Sequence, residues 1–276
     1  MNEWFMSEKF KDRWHKFFLL TDDIMMKLPM RGVKSDWEPP ELPIALVGTI
    51  EGLIMLHKAF YHLLLKYAYS CAADDLLSAS QEDRESGFWE NERLYHFHDF
   101  FIRYRSFLDY AARFVAPIFS WEVVDQKMMQ DNRIYFEDVC EKLRGLVELE
   151  NFPNLEFVSR RQAIVFRDFL NSMDVRTSCN GKEREIIQTM IAGYRNQTTH
   201  QQLLPMDGTP WGFVKRIPPK PAKPGSDNKG KIERIIIGSD VLEFNALKSL
   251  ALKTLEAIAR SFDILDNLNF LKVKRE

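Results

Sequence analysis

The 276-residue chain has few cysteines: Cys71, Cys140 and Cys179 are odd in number and far apart. No CxxC pair or Cys/His spacing of a zinc site occurs, which argues against a disulfide framework and a structural metal. Three reduced, partly buried thiols are the expectation. An excess of one charge is also missing. Lys and Arg total 38 against 40 Asp and Glu, a formal net charge of −2. No global basic field therefore advertises nucleic acid, and any such contact must come from a local patch. Long apolar runs are absent as well. The longest, Leu42 to Leu56, is broken by Glu51 and is shorter than the roughly 20 residues that span a bilayer. The N-terminus, MNEWFMSEKFKDRW, has charges where a signal peptide needs an apolar segment. A soluble, cytoplasmic protein with no membrane partner is expected. There is no Gly-rich phosphate loop, HExxH or nucleophile elbow, and no cofactor is called for.

What the chain does have is apolar mass (45% of residues, with 21 Phe and 6 Trp) arranged at helical spacing. The pattern predicts a first amphipathic helix near 8–30, ended by Pro29 and the Gly32 region. After the joint Trp37-Glu38-Pro39-Pro40 comes a long apolar helix near 43–73, and the acidic stretch Asp74 to Ser86 reads as a loop. A second long helix is expected at 88–119, with shorter ones near 131–149 and 156–172. Another, about 181–202, has Asn180 and Glu183 as a capping signal and Pro205 at its exit. The β-prone runs Trp211 to Ile217 and Lys231 to Ile237, joined by PPKPAKPGSDNKG, read as a hairpin with a long tip. A last helix near 240–266 opens with Asp240 and Glu243 and carries Phe244, Leu247, Ala251, Leu255, Ile258, Phe262 and Leu265 on one face. The expected fold class is all-α: a helical bundle with a small β-hairpin inserted before the last helix. Residues 1–86 are expected to be N-terminal helices packing on a bundle formed by 87–276, with the hairpin at about 211–237.

The residues with chemistry lie in Arg195-Asn196-Gln197-Thr198-Thr199-His200. A fixed cation, an amide and a titratable base stand within about two helical turns. An Arg-to-His spacing recurs by chance in chains of this length, and Arg93 to His98 is a second instance. There, Leu94, Tyr95 and Phe97 are interleaved with the histidines, as in an ordinary amphipathic helix with packed histidines. Arg195 differs because Asn196 follows it and because of helical phase. The stripe of Ile187, Met190, Ile191 and Tyr194 centres near Tyr194, whereas Asn196 and His200 fall nearly opposite, with Arg195 on the flank.

An R-N-x3-H string near the end of an amphipathic helix in an all-α chain resembles the HEPN superfamily (higher eukaryotes and prokaryotes nucleotide-binding domains). Its members are helical bundles, generally dimeric, and many are metal-independent endoribonucleases; several are toxins or antiphage enzymes. The resemblance implies that Arg195 and His200 are the catalytic pair and Asn196 the supporting residue. RNA is the implied substrate, a second copy of the chain the implied partner, and an antitoxin protein a further partner of the toxin members. Some family toxins carry a modifiable tyrosine two positions after the histidine; Gln202 stands there in this chain.

RNA supplies its own nucleophile, the 2′-OH. His200 could accept that proton or protonate the 5′-oxygen, while Arg195 holds the phosphate. The expected products are a 2′,3′-cyclic phosphate and a 5′-hydroxyl. One motif supplies one histidine, and Arg195 and His200 lie about 140° apart around a helix. A composite site across a homodimer would supply both acid and base.

Other groups carry weaker readings. The tract Lys215 to Lys231, with six basic side chains and one acid, reads as a solvated tip or an RNA backbone contact. Arg103 and Arg105 are phosphate-contacting or solvent-facing, and His57 and His62 are helix-packing residues. The readings left open are a ribonuclease, a non-catalytic HEPN-like RNA- or nucleotide-binding domain, and a helical interaction protein.

Overall fold

A computed structural model describes residues 8–29, 47–79, 88–119, 134–155, 158–177, 179–181, 213–216, 235–238 and 244–266. The described residues are mostly helical: α1 (Glu8–Lys27), α2 (Val47–Ala79), α3 (Phe88–Phe119), α4 (Phe136–Glu148), α5 (Arg160–Met173) and α6 (Phe244–Asp266), with a 3-10 turn at Val175–Thr177 after α5. No described helix is long and apolar enough to cross a membrane.

Helix α2 is the axis of the packing. Its buried positions include Leu53, Leu56, Phe60, Leu63, Leu64, Tyr67, Ala68, Cys71 and Ala72, while Glu51, Met55, Lys58, Tyr61 and His62 face solvent. It pairs closely with α3. A Cβ at Gly52 would lie 2.9 Å from the Cα of Phe114, so the absent side chain lets the two backbones approach. The main apolar cluster joins residues of α2, α3, α4, α5 and α6, on both sides of residue 86. A second cluster, with Phe17, Ala72, Ala73, Leu76 and Trp89 at its centre, fastens α1 to α2 and α3. Its rings interlock: Trp14 meets Trp89 edge-on at 5.6 Å, and Phe17 stacks on Trp89 at 5.3 Å.

Several expectations meet the structure closely. Helix α3 occupies the span expected for it. On α6, Phe244, Leu247, Ala251, Leu255, Ile258 and Phe262 are buried, with Leu265 half-buried. Helix α5 starts later than the expected 156, after Ser159, whose side chain accepts from Gln162 N while the Gln162 side chain accepts from Ser159 N, a reciprocal cap.

One expectation is corrected. Asp74 to Ala79, read as the start of an acidic loop, continues α2. The reason is tertiary. Asp74 accepts from Arg93 Nη1 at 2.8 Å and lies 3.6 Å from Lys248 Nζ, while Leu76 is buried in the aromatic cluster.

Phe213–Arg216 (β1) and Ile235–Gly238 (β2) pair antiparallel, with Phe213 opposite Gly238 and Arg216 opposite Ile235. The intervening tip (217–234) and the Asp240/Glu243 cap of the last helix lie outside the described residues.

Candidate functional site

Arg195, Asn196 and His200 lie outside the described residues, as does the whole of 182–212. What is described is the approach to that segment, together with Arg93, His96, Arg103, Arg105, His57, His62 and the three cysteines.

The approach is tightly held. Helix α5 ends at Met173, where backbone carbonyls lose their intrahelical partners. The fully buried hydroxyl of Tyr104 on α3 donates to Met173 O at 2.8 Å and accepts from Val175 N at 3.1 Å. Burial raises the Tyr104 phenol above its ordinary range, so it stays a neutral donor. Around it runs a ring of ion pairs. The Asp174 carboxylate accepts from Arg176 Nε at 2.7 Å, and Glu137, in the first turn of α4, accepts from Arg176 Nη1 at 3.1 Å. Glu137 also takes both Nη groups of Arg105 in a fork, with the Nη2 contact at 2.7 Å. Partial burial would raise the Glu137 carboxyl; hydrogen bonding and charge from Arg105, then Arg176, outweigh it and bring it down to about 2. The Asp109 carboxylate completes the ring by accepting from Phe136 N at 3.2 Å. Both arginines are engaged by acids and the ring carries one acid in excess, so it offers no open cation to a phosphate. Sequence reasoning missed it because its members are up to 71 positions apart and obey no local period.

The second Arg/His string belongs to the packing. Arg93 is buried, bound to Asp74, with its guanidinium 4.4 Å from the centre of the Phe244 ring. His96 is buried between Tyr69 (4.9 Å) and Phe17 (6.5 Å), its Nε2 3.3 Å from Glu92. Arg93 Nε and His96 Nδ1 have no hydrogen-bond partner. No substrate phosphate could reach groups this covered, which agrees with the packing expectation at Arg93 and His96. Arg103 donates its Nε to Asp99 at 2.9 Å and keeps a 43% exposed, solvent-facing side chain, whereas Arg105 is held in its fork on Glu137.

His57 stacks on Phe262 at 4.8 Å, as a packing histidine should. His62 is corrected: it is exposed, with only an edge contact to Tyr61 at 6.2 Å. The cysteines form no disulfide. Burial pushes the Cys71 thiol up to about 11 and Cys140 to about 12, which suppresses the reactive thiolate at both. Among the described residues no cluster of His, Cys, Asp and Glu is suited to hold a metal ion. A cavity of about 480 Å³ opens between α4 and α5, lined by Phe152, Pro153, Asn154, Leu155, Val158, Ser159 and Gln162. Its lining has no acid, base or fixed charge with which to do chemistry. The described clusters are therefore fastenings rather than open sites. Comparison with known proteins finds no matching family model, no similar curated protein and no similar solved structure.

Proposed function

We propose that this chain is a metal-independent endoribonuclease of HEPN type, with Arg195 and His200 as its catalytic pair and Asn196 as the supporting residue. The observation that carries the reading is the string Arg195-Asn196-x3-His200, with a phase that turns Asn196 and His200 away from the apolar stripe of its own segment. The mostly helical architecture of the described residues is compatible with a bundle of this kind. So is the local competition. Arg93 and His96, from the second Arg-to-His string, are consumed by packing.

In the proposed reaction His200 takes the 2′-OH proton and the 2′-oxygen attacks the adjacent phosphorus. A second, protonated histidine gives its proton to the departing 5′-oxygen, and Arg195 stabilises charge on the non-bridging oxygens. The two histidines come from two copies of the chain, so the active form is a homodimer acting on RNA in the cytoplasm. In the wider proposal a β-hairpin at about 211–237 is inserted ahead of the last helix, and residues 1–86 are N-terminal helices packing on the bundle. Toxin or antiphage action, with an antitoxin partner, belongs to the same proposal.

The test is RNA cleavage in EDTA by the full chain and by His200→Ala and Arg195→Ala. Each substitution should lower the rate by about 10²-fold or more. RNA binding without cleavage would favour the non-catalytic binding domain instead, and neither binding nor cleavage a helical interaction protein.

A further inference from the structure

We draw no further inference here: the strongest candidate, the surface patch between α2 and α3 formed by Tyr95, Lys66 and Arg103, carries nothing, because Asp99 binds both cations there and nothing in the structure shows what covers the patch.

Discussion

Tyr104 shows how much a single hydroxyl holds in this chain. It satisfies both a carbonyl released at the end of α5 and an amide of the turn beyond it, in a fully buried setting. Tyr104→Phe keeps the ring and removes the hydrogen bonds to Met173 O and from Val175 N, so a loss of about 1–3 kcal/mol in urea unfolding is expected. Two glycines make a contrasting pair. At Gly52 a Cβ would strike the Phe114 backbone at 2.9 Å, whereas at Gly145 it meets nothing within 4 Å. Gly145→Ala should raise stability by about 0.5–1 kcal/mol through helix propensity. Gly52→Ala should lower it despite the same propensity gain; thermal melts of the two variants should shift in opposite directions. Glu137 adds a pH signature. Its carboxyl is at about 2 in the folded chain against an ordinary 4.5. A depressed carboxyl contributes stability that is complete above the unfolded value and is lost as pH falls through the folded one. The stability gap between the unsubstituted chain and Glu137→Gln should therefore narrow as pH drops from about 4.5 towards about 2. A gap constant across that range would argue against the Arg105–Glu137–Arg176 arrangement.

At the scale of elements, local patterns carried most of what could be foreseen. The 3.6-residue repeat was enough for α3, because Phe97, Phe101, Tyr104 and Leu108 all face the core and chain-local punctuation agrees with the packing. The apolar stripe of α6 was legible for the same reason. Legibility failed where a distant partner decided the outcome. Asp74 and Asp75 look like loop residues, and only Arg93 and Lys248 from two other helices explain why α2 runs on to Ala79. The ring around Glu137 was invisible for that reason too: nothing in the sequence near residue 137 announces Arg105 or Arg176. His62 shows the converse, since apolar neighbours in sequence did not make it a packing residue. The chemistry of the candidate site was read from sequence alone, and Arg195, Asn196 and His200 lie outside the described residues.

For the molecule as a whole, the described clusters divide the labour. Aromatic rings fasten α1, a central cluster spanning α2 to α6 holds the bundle, and ion pairs lock the turn that follows α5. Each arginine or histidine the sequence raised on α3 and described by its side chain is engaged with an acid or an aromatic ring. That leaves Arg195 and His200 as the groups on which the ribonuclease reading stands. It is tested most directly by incubating the full chain with single-stranded RNA in excess EDTA and identifying the product ends, beside His200→Ala and Arg195→Ala. The account predicts cleavage to 2′,3′-cyclic phosphate and 5′-hydroxyl ends, reduced by about 10²-fold or more in either variant. Intact RNA with the unsubstituted chain, or cleavage that survives both substitutions, would contradict it.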